Sequence, residues 1–178
     1  VSARRESPRK RSRAAALQVL FSLEFGRRRG ERPPSGPGER PLSGPSERAP
    51  SEAADDADLA ARAQAAFDDV GAHFELPEGA RAYAKELVLG VASERHALDA
   101  LITEHASHWR VERMASVDRN ILRLAGWELL RTDVPAPAVI DEAVELARRF
   151  GGDRSPGFVN GVLDAIAAVV RPPEETRR

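Results

Sequence analysis

The sequence predicts an all-α protein of about seven helices. Three observations carry that expectation. Apolar residues recur at i, i+3, i+4 and i+7 along most of the chain. No run alternates with period two, and no Asn-Gly pair marks a hairpin. Proline and glycine fall between the periodic stretches, so connections are short everywhere except at residues 26–58.

Each element has its own signal. Ser7-Pro8 reads as an N-cap followed by proline at the first helical position. From there Ala16, Leu20 and Leu23 share a stripe, with Leu17 and Phe21 beside it, and Gly26 is the expected stop. The second helix is expected from Asp58, with Ala60, Ala63, Phe67, Val70 and Phe74 in register. Pro77-Glu78-Gly79 breaks it. The third carries Tyr83, Leu87 and Val91 and reaches about Arg95; the fourth holds Leu98, Leu101 and Ile102. Ser116 is the expected cap of the fifth, which aligns Val117, Ile121, Leu124 and Ala125. Pro135 and Pro137 close the next loop, and Ile140, Ala143, Val144 and Ala147 define the sixth helix. Gly151-Gly152 stops it, and Ser155-Pro156 repeats the starting signal for a seventh with Val159, Val162, Leu163 and Ile166.

Residues 27–56 read as a disordered insertion inside one domain spanning 9–171, with flexible tails at 1–8 and 172–178. The stretch from Pro33 to Pro50 holds six prolines and a degenerate tandem repeat, PSGPGER then PLSGPSER. Its only large apolar residue is Leu42, too little burial to offset the entropy of ordering it.

The chain has 178 residues and no cysteine, which excludes disulfides, zinc–thiolate sites and thiol nucleophiles. A membrane span is not expected, since no stretch approaches 18 consecutive apolar residues. The net charge of −1 hides segregation. Residues 1–32 carry ten Arg/Lys against three Glu, whereas residues 51–80 carry eight Asp/Glu against Arg62 alone. A basic start on a neutral chain points to a local anionic partner. Arg9, Lys10, Arg11 and Arg13 also crowd the first turns of a helix, where the dipole disfavours cations and a bound anion would relieve the conflict.

No P-loop, GxGxxG, GxSxG or HExxH occurs, so no enzyme is expected. His105 and His108 lie three apart near Glu104 and Glu112, but a metal needs three or four converging ligands, and neither a metal nor a cofactor is expected. The residues 151–157, GGDRSPG, are explained as a helix stop joined to a helix start, with room left for an anion at the new N-terminus. The basic arm is more informative. Beside Arg9, Lys10, Arg11 and Arg13 the first helix carries an amide, Gln18, and an aromatic, Phe21. Phosphate neutralisation, base-edge hydrogen bonding and stacking are the ingredients of single-stranded RNA recognition. Core packing is the competing reading for Phe21. Phe158 lies just off the apolar stripe of the last helix and Asn160 follows it; periodicity leaves core and partner-contact roles open for both.

Four segments then resemble the NusB family of bacterial transcription antitermination factors: RKRSRAAALQVLFSLEF (9–25), YAKELVLGVASERHALDALI (83–102), VDRNILRLAGWELL (117–130) and DVPAPAVIDEAVELARRFGGDRSPGFVNGVLDA (133–165). The last is the most specific. The resemblance implies a helical bundle in two halves, binding to the boxA element of ribosomal RNA leaders, and a heterodimer with the ribosomal protein NusE. It implies assembly on RNA polymerase in the bacterial cytoplasm, without catalysis, and leaves monomer or homodimer open. It places RNA contacts on Arg9, Lys10, Arg11, Arg13, Phe21 and Arg123. It places Asp118, Phe158 and Asn160 at the RNA or protein-partner surface. The insertion is longer than is usual in the family, and Phe21 stands where a tyrosine can occur. A related helical domain also occurs fused to RNA cytosine methyltransferases, but these need a catalytic cysteine. The remaining alternative is a non-catalytic helical adaptor for proteins. Salt dependence separates the two: about five phosphate contacts would give log K against log salt a slope near −3.5.

Overall fold

The computed structural model describes residues 7–30, 52–71, 76–106 and 109–172. Seven α-helices account for most of these: α1 (Pro8–Gly30), α2 (Glu52–Gly71), α3 (Glu78–Ser93), α4 (Arg95–His105), α5 (Ser116–Arg131), α6 (Ala136–Phe150) and α7 (Ser155–Val170). A single 3-10 turn, Val111–Arg113, precedes α5. The all-α expectation holds, and each expected helix is present.

The helices form two groups. α1, α2 and α3 pack on one another, as do α5, α6 and α7, with α4 leaning on α5 and α7. α5 joins them, because α1 and α3 also lie against it. From Asn120 to Leu129 every residue of α5 is buried. A helix enclosed on all sides is the axis of a bundle, not an amphipathic cover. The core is continuous across both groups, from Leu17, Leu20 and Phe67 through Leu87 and Ile121 to Val159 and Ile166.

Glycine permits the closest approach. A Cβ on Gly90 of α3 would stand 2.2 Å from the indole of Trp127 on α5. The indole also donates to Glu94 at the end of α3 (3.3 Å). Gly151 is similar: a Cβ there would lie 2.6 Å from that of Ser155.

Polar residues fix the remaining seams. Arg171 donates to the backbone carbonyls of Glu128, Leu129, Thr132 and Val134, which satisfies the orphan end of α5. Asp56 on α2 accepts from the His96 backbone N–H (3.3 Å) and lies 2.7 Å from its Nδ1, anchoring the first turn of α4. Arg95 is 3.2 Å from His96 Nε2. Arginine can only donate, so Nε2 accepts and Nδ1 carries the proton given to Asp56.

Several boundaries differ from the sequence reading. α1 runs on to Gly30 instead of stopping at Gly26, because Arg27 to Arg29 are good helix formers and one glycine costs only about 1 kcal/mol. α2 begins at Glu52, so residues 27–30 and 52–56 of the expected insertion are helical. The tandem repeat, His73 and His108 lie outside the described residues. Ser7 does cap α1, accepting from Lys10 N–H (3.3 Å). The N-cap of α5 is Ala115, not Ser116. The N-cap of α7 is Arg154, and Ser155 turns back to accept the Gly152 N–H (2.9 Å).

Candidate nucleic-acid interface

Two sites lie along α5. Glu128 and Asp118 mark them, ten residues and about 15 Å apart on the helix. At about 100° per residue, the two side chains leave the axis within about 80° of each other.

The first site is the start of α1. Arg9 and Lys10 stand at its opening, Arg9 exposed and Lys10 half-exposed. The Arg9 guanidinium lies 5.5 Å from the centre of the Tyr83 ring, and Lys10 lies 3.3 Å from Glu142. Arg11 is half-buried.

Arg13 does not belong with them. It is 4% exposed and donates twice to Glu128, at 2.8 and 2.7 Å. The Tyr83 hydroxyl donates to the same carboxylate. Burial alone would lower the basicity of Arg13, yet the hydrogen bond and charge of Glu128 outweigh it and hold the guanidinium above its ordinary range. The expected phosphate contact is thus corrected to a buried structural ion pair. The Tyr83 hydroxyl is pushed up as well, first by burial and then by Glu128.

Arg123 needs the same correction. It is 7% exposed, chelates Asp99 (2.7 and 2.8 Å) and donates to Glu24 (2.9 Å). Glu24 also accepts from Arg119 (2.7 and 3.2 Å), which reaches the carbonyls of Val111 (3.0 Å) and Met114 (3.4 Å). This cluster joins α1, α4 and α5 and fixes the turn before α5. Arg119 and Arg123 are thus both committed to ion pairs within the fold.

The second site is a cleft of 630 Å³ lined by Trp109, Met114, Ala115, Asp118, residues 152–154, Ser155 and Phe158. Trp109 is 52% exposed and its ring leans on Phe158, the centroids 5.6 Å apart and the planes at 54°. Phe158 is half-buried: it packs against the core and lines the cleft. Arg154 is exposed at the rim. Asp118 lies in the first turn of α5, and its Oδ1 is buried without a hydrogen-bond partner.

The other expected residues fall elsewhere. Gln18 is exposed and Phe21 half-buried, both on α1. Asn160 is exposed on α7, where it donates to Asp164 (2.6 Å), and it does not line the cleft. Trp109 was missed by the sequence reading. Its signal was an aromatic in a stretch without periodicity between two helices. Glu128 had a signal too, a carboxylate embedded in Trp127-Glu128-Leu129. Among the described residues no group of three or more His, Asp or Glu is gathered for a metal ion. No helix among them is long and apolar enough to cross a membrane.

These features define a class: a helical bundle with a basic first helix and an open aromatic cleft, both ranged along one enclosed central helix. The comparisons with known proteins narrow it. The NusB family model matches residues 48–168. The chain is 58% identical over 92 residues to "Transcription antitermination protein NusB" of Sorangium cellulosum, covering 51% of this chain and 65% of that protein. It is 52% identical over 95 residues to the protein of the same name in Anaeromyxobacter dehalogenans, covering 53% and 67%. The aligned part spans about two thirds of the length of these curated relatives. Thermotoga maritima NusB shares the fold with a TM-score of 0.64 at 32% identity, over 92% of this chain and 93% of that one. A structure titled as antitermination factors NusB and NusE in complex with dsRNA matches with a TM-score of 0.62 at 26% identity, over 89% and 95%. The chain belongs to the NusB family.

Proposed function

We propose that this protein is an RNA-binding transcription antitermination factor. It takes up boxA-type ribosomal RNA leader sequence together with NusE and helps to load the antitermination assembly onto RNA polymerase, in the bacterial cytoplasm and without a catalytic step. The observation that carries this reading is the pairing of two unlike surfaces along α5. Arg9 and Lys10 offer charge at one end; Trp109, Phe158 and Arg154 offer stacking and charge at the other. Phosphate contacts give affinity and aromatic contacts hold unstacked bases, and a single strand can follow both. The name shared by the bacterial relatives and the NusB–NusE–RNA likeness support the same assignment.

A second reading, a helical adaptor for proteins alone, draws on the burial of Arg13 and Arg123, which reduces the basic surface. The two differ in salt response. Three remaining contacts from Arg9, Lys10 and Arg11 would give log K against log salt a slope of about −2 on single-stranded RNA. The test is anisotropy of a labelled boxA RNA against a scrambled control, with and without NusE. The proposal expects preference for boxA, a gain with NusE that is reciprocal by linkage, and loss of affinity in Arg9→Ala/Lys10→Ala/Arg11→Ala. Equal, weak, salt-insensitive binding of both RNAs would leave the adaptor.

A further inference from the structure

We infer that Glu142 on α6 is an exchangeable counter-ion for Lys10: it holds the lysine while the protein is free and yields it to a phosphate when RNA binds. This deepens the RNA-binding reading above and rests on it. α6 then takes part in RNA binding without touching the strand.

The start of α1 is a fixed platform. Ser12 is fully enclosed, and its hydroxyl lies 2.9 Å from the carbonyl of Pro8 and 2.8 Å from that of Ala80, at the start of α3. Arg13 beside it is locked on Glu128 of α5. The backbone here is tied to two other helices, so a phosphate is met by side chains that swing and not by a helix that moves.

Lys10 is able to swing. Its ammonium lies 3.3 Å from Glu142, and its side chain is 41% exposed against 22% for the carboxylate. Arg13 also approaches Glu142, at 3.8 Å, but its guanidinium already donates twice to Glu128. Glu142 is therefore not needed to neutralise Arg13. It does keep Arg13 as a neighbour when Lys10 leaves. The exchange thus strands no lone charge, which is what makes breaking an enclosed ion pair costly.

The residue type fits this role. Of the 27 basic residues all but Lys10 and Lys85 are arginine. A guanidinium grips a carboxylate through two parallel hydrogen bonds, as Arg13 grips Glu128. An ammonium is a compact point charge on a flexible stem, which holds a carboxylate less firmly and moves to a second acceptor more readily. A phosphate within a polyanion wins the exchange, because its neighbours add to its field and its condensed counterions are released. Every strand that binds must displace Glu142, so the pair lowers RNA affinity by about the strength of one partly exposed contact.

The experiment measures anisotropy of labelled boxA RNA with the full chain and a set of variants. Glu142→Gln should bind about three-fold more tightly than wild type, the worth of one partly exposed ion pair. Asp141→Asn removes the same charge from the adjoining exposed position and should gain less. Lys10→Arg keeps the charge yet should bind about three-fold more weakly, because arginine closes on Glu142 with two hydrogen bonds. Lys10→Arg/Glu142→Gln should bind as tightly as Glu142→Gln alone. In a Lys10→Ala background Glu142→Gln should gain no more than Asp141→Asn does. The inference is overturned if Lys10→Arg binds as well as wild type or better, if Glu142→Gln gains no more than Asp141→Asn, or if its gain persists without Lys10. Lys10→Arg changes one partly exposed side chain and no charge, so it decides the matter even where Glu142→Gln disturbs the fold. A wild-type protein that binds no RNA overturns the RNA reading beneath, an outcome distinct from all of these.

Discussion

The two ends of α5 treat a carboxylate in opposite ways. Around Glu128 every oxygen is answered: Arg13 donates to both, and Tyr83 to one. Around Asp118 one oxygen is enclosed and answered by nothing. Both carboxylates sit on one helix, in one sequence segment, and no pattern of residue types separates them. What separates them is completeness. A saturated network has nothing left to offer a partner, so Arg13, Glu128 and Tyr83 hold the fold. An unsaturated one is a place where a ligand can complete the structure.

The largest effect should come from breaking the saturated end. Arg13→Ala leaves Glu128 buried without its counter-ion and should cost about 3–5 kcal/mol, read as a lower urea midpoint at unchanged m-value. The double variant Arg13→Met/Glu128→Leu removes both charges and should recover most of that loss. It should also keep the wild-type salt slope for RNA, because Arg13 meets no phosphate. A slope that becomes shallower by one contact would return Arg13 to the RNA surface. Next in size is the helix contact beside it. Gly90→Ala drives a methyl group into Trp127 and should cost about 1–3 kcal/mol by urea denaturation, with little effect on RNA affinity once the protein is folded.

A smaller effect separates the two ends by pH. Burial would raise the Glu24 carboxyl, but the hydrogen bond from Arg119 and the charges of Arg119 and Arg123 outweigh it and hold Glu24 below its usual 4.5. A carboxyl depressed in the folded state contributes stability in full above its unfolded value, and that contribution is lost as pH falls through the folded value. Stability should therefore decline on acidification below about pH 4.5, and Glu24→Gln should flatten that acid limb in denaturation curves measured from pH 6 to pH 3. A variant that shows the wild-type acid limb would mean that Glu24 is not linked to folding through Arg119 and Arg123.

The fold was legible because helix periodicity is a local signal. Leu87, Ile121 and Val159 could each be assigned to a buried face from neighbours three and four positions away. Helix ends were less legible. Gly26 carries a stop signal that three following arginines override, and Ser116 carries a cap signal although the structure starts the helix on it. Exposure of the expected site residues was only partly legible. Arg9 and Lys10 are on the surface, but Arg13 and Arg123 look the same in sequence and are interior. Their partners, Glu128, Glu24 and Asp99, lie 24 to 115 positions away. No window of sequence holds both members of such a pair. Trp109 escaped for the converse reason: it belongs to no periodic stretch, and its value comes from Phe158, which only the fold brings alongside.

The smallest effect on stability should be paired with a large one on binding. Trp109 is half in solvent, and its described aromatic partner is the half-buried Phe158. Trp109→Ala empties no core position, so its cost should stay within about 0.5 kcal/mol, as for surface substitutions generally. Losing one stacked base should weaken RNA binding by about 1–3 kcal/mol. Phe158→Ala should differ, because that ring also packs against the core: it should lower both stability and affinity. Thermal melts and RNA anisotropy on the two variants give four numbers. If Trp109→Ala destabilises the fold as much as Phe158→Ala does, the indole is a packing residue and the cleft loses its stacking surface. If stability stays and affinity falls, the open end of α5 is a binding surface, in contrast to the closed end at Glu128.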